Sequence, residues 1–324
     1  MEYNPIKQKF AEDFKPGEQI DEIFIVSEKN ISHKQDGSPY IRVKFTDKTG
    51  NLGGVIWDNV DDLEKSFEKK DYVRIKGKTT EYKNKVQVTV IDIIKYPDSL
   101  ISPEHFLPTS SRNLKDLAGR MNKVIETVTD KYLKLLLDAF WSDEEFVKAF
   151  NIAPAAKKMH HAYLGGLLEH SLSMALLANN VMKGHYRSVN KELLLTGCIL
   201  HDIGKIREFE YEKIIDYSIE GRLLSHIIIG VQMLDEKIAS IPDFPKETAL
   251  LLRHMIVSHH GIREFGSPEP PKTLEATILH QLDDLDSRVI AIRTFMEDDK
   301  SDNPWTPYHN LLERHFFKGF NFSK

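Results

Sequence analysis

The residues best suited to chemistry in this sequence are histidines, and most of them fall in one stretch of the chain. Nine of the 14 histidines lie between positions 160 and 260. The sharpest motif there follows an apolar run that ends at Leu200, and it reads His201-Asp202-Ile203-Gly204-Lys205. An imidazole and a carboxylate side by side at a helix end can bind a divalent cation. The same pair can also form a plain ion pair, so the motif alone leaves both interpretations open.

Further ionisable residues are predicted to face inward, because the residues beside them at helical spacing are apolar or small. These residues are His170, His226, His259, His260, Asp283 and Asp284. Taken one at a time, each is more simply interpreted as a hydrogen-bonded core residue. Burying several of them without partners would cost several kcal/mol each. A shared divalent metal centre removes that cost, so the set as a whole predicts one.

The first part of the chain, residues 1–98, is predicted to form strands. Period-two alternation and turn residues predict a helix over 60–70 and strands over 20–26, 40–45, 52–57, 72–78 and 85–91. Three strands, a short helix and two more strands form the order of an OB-fold β-barrel. Another small barrel or a fragment of a β-sandwich stays open as the alternative.

The rest of the chain has apolar residues at helical spacing and no strand-like alternation. After a proline-containing linker over 99–110, we expect an all-α domain over 111–324 with its core at about 155–295. Helices are predicted over 114–128, 131–140, 165–182, 191–200, 223–238, 248–257 and 273–295, the last as one helix or two. An aromatic C-terminal tail is expected to pack back onto this domain: Trp305, Tyr308, Phe316, Phe317, Phe320 and Phe322. The fold class is therefore α+β with two domains.

Composition narrows the classes of protein. The single cysteine, Cys198, excludes an internal disulfide and a zinc–thiolate site and favours the reducing cytoplasm. The net charge of −5 argues against a histone-like nucleic-acid binder. No apolar run approaches the ~20 residues that a membrane-spanning helix needs, and no secretory signal is visible. We therefore expect a cytoplasmic protein without a membrane partner.

The order of the candidate ligands resembles the HD phosphohydrolase superfamily, whose fold is a helical bundle. His170, the pair His201-Asp202 and Asp283 carry this resemblance. The strings 160–172 (HHAYLGGLLEHSL), 200–205 (LHDIGK) and 258–261 (SHHG) are similar to the YhaM family. That family consists of bacterial 3′→5′ exoribonucleases with an N-terminal OB domain and a C-terminal HD domain. The resemblance extends from about residue 18 to about residue 288, and it implies that the helical part is an HD-domain bundle.

The resemblance also implies a set of metal ligands. The first of two divalent ions would be bound by His170, His201, Asp202 and Asp283. The second would share Asp202 and would also be bound by His226, His259 and His260. Asp284 stays open as an alternative to Asp283, and His254 as a rival ligand. Imidazole and carboxylate together suit Mn²⁺, Co²⁺, Fe²⁺, Zn²⁺ or Ni²⁺ better than Mg²⁺, and the resemblance implies Mn²⁺ or Co²⁺.

Three residues are expected to act in catalysis. Asp202 would bridge the two ions, which about 3.5–4 Å apart can activate a water and neutralise the charge that builds on phosphorus. By the resemblance, Lys205 would contact the phosphate, and His161 would contact either the substrate or a metal ligand. No serine lies in a nucleophile elbow, and no Walker motif is present.

The barrel supplies candidate contacts to a nucleic acid. An OB-fold binds single strands through aromatic stacking and a cationic groove. The candidates are Tyr40, Trp57, Arg74, Lys76, Lys78 and Tyr82. The alternative is an ordinary solvated barrel face. Single-stranded RNA, or single-stranded DNA, is the expected partner, and the resemblance suggests a homo-oligomer.

The leading functional prediction is a metal-dependent 3′→5′ exoribonuclease. A phosphohydrolase or phosphodiesterase for free or cyclic nucleotides is the alternative that an HD bundle by itself would support. A third interpretation is a non-catalytic single-strand-binding factor.

Overall fold

The computed structural model describes residues 7–83, 85–102, 105–157, 161–183, 186 and 188–319. The chain divides into two compact units. The first comprises Met1–Thr109 and Glu210–Asp216, and the second comprises Ser110–Phe209 and Tyr217–Lys324. Within the described residues, every helix is too short or too polar to cross a bilayer.

The first unit is built around a closed five-stranded barrel, which confirms the predicted OB-fold. Its strands are β1 (Gln19–His33), β2 (Pro39–Asp47), β3 (Gly50–Ile56), β4 (Tyr72–Tyr82) and β5 (Lys85–Lys95). They close in the order β1-β2-β3-β5-β4. The β3–β5 pair is parallel, and the other pairs are antiparallel.

Alternating side chains of these strands fill the barrel. Phe24, Phe45 and Ile75 are buried in one core cluster. Gly54 is required on β3 because a Cβ there would lie 2.4 Å from the Phe45 ring. Strand β1 runs beyond the predicted end at residue 26, because its exposed second half pairs with β2 although it lacks an apolar pattern.

The helix predicted over 60–70 is wrong in length. Helix α1 (Val60–Leu63) has only one turn. The Lys29 ammonium donates hydrogen bonds to the carbonyls of Glu64 and Phe67, the latter at 2.6 Å. These bonds fix the chain in a turn that buries Phe67, so a tertiary contact overrides helical spacing.

The described part of the predicted linker is packed. Phe106 is buried within the first unit, where its ring meets that of Tyr72 edge-on with centroids 4.9 Å apart. The same cluster contains Ile23, Ile25 and Ile214. The prolines of this segment predicted a linker, but its apolar residue Phe106 packs into the core of the first unit.

The second unit is helical. Its helices are α2 (Leu114–Ile125), α3 (Lys131–Trp141), α4 (Glu144–Ile152), α5 (Gly166–Val181), α6 (Lys191–Leu200), α7 (Lys205–Glu208), α8 (Ile219–Ala239), α9 (Lys246–Ser258) and α10 (Leu274–Asp298). Side-chain caps explain where many begin: Asn113, Asp130, Asp143, Asn190, Ser218 and Thr273 accept hydrogen bonds from first-turn amides. The residues predicted as one or two helices at 273–295 form one.

Two features differ from or extend these expectations. Residues Phe209–Glu210 and Asp216–Tyr217 form a two-stranded ribbon, β6 and β7, where no further strands were expected. The tail folds back on α10, because the His309 ring packs edge-on against Phe295 with centroids 4.6 Å apart. Phe320 and Phe322 lie outside the described residues.

Candidate metal centre and nucleic-acid face

The predicted ligands lie on five helices or at their ends. His170 lies within α5, His226 within α8 and Asp283 within α10, while the ends of α6 and α9 carry His201, Asp202, His259 and His260. Helices α5 and α6 are apolar on nearly all sides and mostly buried, so polar residues on them also lie inside the unit. The structure therefore brings these distant residues together in the core.

The first group of donor atoms surrounds one point. The Nε2 atom of His170 lies 3.2 Å from Nε2 of His201, 3.3 Å from Oδ1 of Asp283 and 3.6 Å from Oδ2 of Asp202. Bonds of about 2.0–2.2 Å to one cation place neighbouring ligand atoms about 3.0–3.6 Å apart. The spacing of this first cluster therefore fits a shared divalent ion.

The second group uses the other oxygen of the same carboxylate. Oδ1 of Asp202 lies 3.7 Å from Nε2 of His226 and 3.5 Å from Nε2 of His259. Ring nitrogens of His226, His259 and His260 all lie within 4.8 Å of one another. Oδ1 of Asp202 and the two Nε2 atoms are buried without a hydrogen-bond partner among the described residues. Such orphaned acceptors are rare in folded proteins, and a cation would satisfy all three.

Backbone carbonyls orient two of the imidazoles. Nδ1 of His201 donates to the Cys198 carbonyl at 3.0 Å, and Nδ1 of His259 donates to the Ile256 carbonyl at 2.6 Å. A proton held on Nδ1 leaves the lone pair on Nε2, which is the atom that faces the cluster. Both rings are thus fixed in the tautomer that binds metal.

Carboxylates orient two more rings, and sequence reasoning missed both. Asp286 Oδ2 accepts from Nδ1 of His170 at 2.9 Å, and Glu208 Oε1 accepts from Nδ1 of His226 at 2.9 Å. The Asp283-x-x-Asp286 spacing was a usable signal for Asp286, since residues three apart share a helix face. Glu208 gave no such signal. It lies in a four-residue helix and also accepts the backbone N–H of His226, just after Ser225 with a φ of 60°.

In the second cluster, electrostatics favour the protonation states that a metal requires. Burial would raise the pKa of Asp202, but the Lys205 ammonium and His201 hold it well below its usual value. Burial lowers the pKa of His260 to about 4, and it takes the pKa of His259 well below the usual value. The second cluster therefore combines an ionised Asp202 carboxylate with neutral rings at His259 and His260.

In the first cluster, neighbouring carboxylates favour the protonated forms of His170 and Lys205. Burial disfavours a charged His170, but its hydrogen bonds to Asp283 and Asp286 outweigh burial and raise its pKa to about 9. Lys205 donates to Asp202 Oδ2 at 2.5 Å, and this contact raises the pKa of Lys205 despite burial. A cation bound here would replace the proton on His170.

Gly204 allows the HD motif to approach α8. A Cβ on this residue would lie 2.0 Å from the His226 carbonyl oxygen and 2.7 Å from the Gly230 nitrogen. The glycine of the His201–Lys205 string is therefore needed for close packing, and this packing places Asp202 beside His226.

Asp284 and His254, the two alternative metal ligands, and His161, the further catalytic candidate, have different surroundings. Asp284 pairs with Arg288 at 2.6 Å, so the structure places Asp283 in the cluster instead. His254 Nε2 accepts the backbone N–H of Lys272 at 2.9 Å and does not join either cluster. His161 lies behind His170, because its Nε2 contacts Asp286 Oδ2 at 3.3 Å, which favours an orienting role over a substrate contact.

The predicted nucleic-acid residues on the barrel have unequal environments. Trp57 is 40% exposed and stacks on Tyr40 with ring centroids 4.9 Å apart. Tyr82 is exposed, as are Lys76 and Lys78 on alternate positions of β4. Arg74 differs, because Asp21 accepts from its Nε and Nη2 at 2.6 and 3.0 Å and neutralises its charge. The prediction of Arg74 as a nucleic-acid contact did not include this partner.

Comparison with known proteins relates both units to described families. Residues 167–288 match the HD domain, and residues 25–96 match the OB-fold nucleic acid binding domain. A third family model, TraI_2, which is described as a putative helicase, matches residues 102–193. The HD domain match, together with the clustered His and Asp side chains, identifies the helical unit as a divalent-metal-binding domain.

Solved structures similar to this chain include a single-stranded DNA binding protein and an OB-fold domain of replication protein A. One is a single-stranded DNA binding protein from Thermus aquaticus, with 11% identity, a TM-score of 0.23 and coverage of 24% of this chain and 40% of that chain. The other is the second OB-fold domain of replication protein A from Methanococcus maripaludis, with 21% identity, a TM-score of 0.22 and coverage of 30% and 100%.

A full-length relative is more informative. The 3′-5′ exoribonuclease YhaM of Geobacillus sp. (strain WCH70) is 30% identical over 306 residues, which span 94% of this chain and 93% of the relative. The match covers both the barrel and the helical unit in one alignment. The chain therefore belongs to the YhaM family.

Proposed function

We propose that this protein is a divalent-metal-dependent 3′→5′ exoribonuclease that hydrolyses single-stranded RNA. One observation carries the proposal: the two oxygens of Asp202 face two separate groups of imidazoles, and Oδ1 and its neighbouring Nε2 atoms are buried with no hydrogen-bond partner in the part of the chain that the structure describes. This arrangement suits a pair of cations that share one carboxylate. The name of the Geobacillus relative supports the direction of attack and the RNA substrate.

The two clusters would hold the two ions. The ligands would be His170, His201 and Asp283 for one, His226, His259 and His260 for the other, and Asp202 for both. Bound there, the ions would supply Lewis acidity, which lowers the pKa of water and offsets the charge on phosphorus. The mixed set of imidazoles and carboxylates suits Mn²⁺, Co²⁺, Fe²⁺, Zn²⁺ or Ni²⁺ better than Mg²⁺, and the resemblance to the YhaM family favours Mn²⁺ or Co²⁺ among them.

The chain's own groups would hold the substrate in place. Lys205 keeps its proton beside Asp202, so its ammonium is a point charge available to a phosphate oxygen. Asp286 and His161 would act through His170 by fixing its ring. No side chain is needed as a nucleophile, since water attacks phosphorus and the departing ribose oxygen takes up a proton.

The barrel unit would bind the strand and the helical unit would cut it. Tyr40, Trp57 and Tyr82 offer aromatic surface for bases, and Lys76 and Lys78 offer charge for phosphates. Arg74 is a weaker candidate because Asp21 already occupies its guanidinium. Self-association and a cytoplasmic location stay predictions, the first of which sedimentation velocity tests directly.

The decisive assay uses single-stranded RNA labelled at one end. With Mn²⁺ present, a 5′ label should remain on a ladder of shrinking strands, whereas a 3′ label should be released at once as a mononucleotide. EDTA should stop both reactions and added Mn²⁺ should restore them. Hydrolysis of free or cyclic nucleotides with intact RNA would favour the small-nucleotide alternative. Strand binding without hydrolysis would favour the non-catalytic one, and both outcomes contradict the proposal.

Trp57→Ala should weaken binding of long single strands. A lost base-stacking contact removes about 1–3 kcal/mol, so Kd should rise roughly 5- to 150-fold, while the rate on a dinucleotide should stay unchanged. Fluorescence anisotropy with a labelled 20-mer measures the first effect. Ile91→Ala is the matched control, because Ile91 is an exposed barrel residue without an aromatic face. Equal affinities for the two variants would remove Trp57 from the nucleic-acid face.

A further inference from the structure

A second polar site lies in the helical unit, outside the two ligand clusters. A cavity of about 160 Å³ is bounded by α2, the residues just before it, and α5. Three leucines of α5 form its apolar part. The polar part consists of Arg112, Arg120, Glu169, Ser173 and Asn180. Nothing in the proposed reaction uses this cavity.

Two arginines line the cavity, and among its described lining residues Glu169 is the one with a carboxylate. Both arginines are exposed to solvent, whereas the Glu169 side chain is buried. Nε of Arg112 pairs with Glu169 Oε1 at 3.2 Å. The Nη groups of Arg112 and the whole guanidinium of Arg120 make no hydrogen bond or ion pair with the residues that the structure describes. Planar guanidinium groups with free N–H donors are the usual partners of phosphate oxygens. The cavity therefore has the charge and donors to bind an anion.

Two chains of hydrogen bonds connect the cavity wall to His170. In the shorter one, Ser173 Oγ donates to Asp286 Oδ1 at 2.5 Å, and Asp286 Oδ2 accepts from His170 Nδ1 at 2.9 Å. In the longer one, Glu169 Oε2 accepts from the Tyr163 hydroxyl at 3.0 Å, and that hydroxyl lies 2.8 Å from His161 Nδ1. His161 then reaches Asp286 at 3.3 Å. Both chains end on the carboxylate that orients His170.

We propose that this cavity binds a phosphate-sized anion through Arg112 and Arg120, and that its occupancy changes cation affinity at the His170 cluster. An anion there would compete with Glu169 for Arg112, and a change at Glu169 is passed through Tyr163 and His161 to Asp286. The volume is below the range of about 300–1,000 Å³ that encloses a drug-sized ligand. The ligand is therefore inorganic phosphate, or the phosphate group of a larger molecule whose remainder stays outside. The anion site does not depend on the proposed nuclease activity, whereas the coupling rests on the cation proposed at the His170 cluster.

Calorimetric titration of the metal-loaded protein with inorganic phosphate tests the site. Arg120→Gln should weaken the phosphate affinity by about tenfold or more, since charge-assisted hydrogen bonds are lost. Arg120→Lys keeps the charge but not the fork and should give an intermediate affinity. Arg253→Gln is the matched control, because it breaks an arginine–aspartate pair that does not border the cavity. Differences between variants separate this site from phosphate on the bound ions.

Coupling between the two sites is reciprocal, so saturating phosphate should shift the Mn²⁺ affinity of the wild type and leave that of Arg120→Gln unshifted.

Titration with uridine 5′-monophosphate distinguishes the two possible sources of the phosphate, the free ion and a nucleotide. Tighter binding than inorganic phosphate indicates a nucleotide's phosphate group, and weaker binding indicates the free ion, provided that Arg120→Gln reduces either. Equal phosphate affinities in the wild type, Arg120→Gln and Arg253→Gln would overturn the site. An unchanged Mn²⁺ affinity with phosphate bound would overturn the coupling.

Discussion

Asp202→Asn should abolish RNA hydrolysis and remove bound metal from both clusters at once. The amide has nearly the same shape as the carboxylate, but it lacks the charge that both groups of imidazoles share through Oδ1 and Oδ2. A loss of several kcal/mol of transition-state stabilisation corresponds to a rate decrease of about 10³-fold or more. The rate on single-stranded RNA and the metal content by mass spectrometry are the two measurements.

The control for this variant is Asp138→Asn, which removes a surface carboxylate paired with Lys134 on α3. It should change neither the rate nor the metal content. Strand affinity of the Asp202 variant should also persist, because the proposed nucleic-acid residues lie in the barrel unit. A variant that kept its metal and degraded RNA at the normal rate would show that Asp202 does not bridge two ions.

Asp283→Asn and Asp284→Asn form a matched pair of neighbours with opposite expected results. Asp283 lies 3.3 Å from His170 Nε2 and is 17% exposed, whereas Asp284 is 39% exposed and pairs with Arg288. The Asp283 variant should lose about 10²-fold or more in rate and weaken the first ion selectively. The Asp284 variant should stay within about twofold of the wild type, since surface ion pairs contribute little.

Metal titration by calorimetry distinguishes the two variants further. The wild type and the Asp284 variant should show two metal-binding steps, and the Asp283 variant should lose one of them. Equal losses in both variants would mean that the first cluster is wrongly assigned. A normal rate in Asp283→Asn would mean the same.

Much of this site was predictable because burying an ionisable residue without a partner is energetically unfavourable, so several such residues in one core indicate a shared ligand. His170 and His226 lie among apolar neighbours, and only a shared cation or a hydrogen bond explains that placement. The barrel was predictable because strand alternation and turn residues agree along most of its length. The ligand identities depended on the resemblance, and the structure then supplied their distances.

The orienting carboxylates could not be read from local pattern. Asp286 meets His170 across 116 positions of the chain. Glu208 reaches His226 only because the backbone breaks from helical geometry at Ser225. Likewise, Lys29 shortens α1 by binding carbonyls on a later segment. Each of these contacts is set by tertiary packing, which spacing along a sequence does not encode.

The ligands come from α5, α8 and α10 and from the ends of α6 and α9, so loading with metal cross-links elements that are far apart in the chain. Any ligand that binds only the native state raises its stability, by about 4 kcal/mol at a thousandfold excess over Kd. Thermal denaturation and protease resistance of the helical unit should therefore depend on divalent ions, even for a variant that cannot cut RNA. Metal supply would then govern how long the protein survives as well as how fast it works.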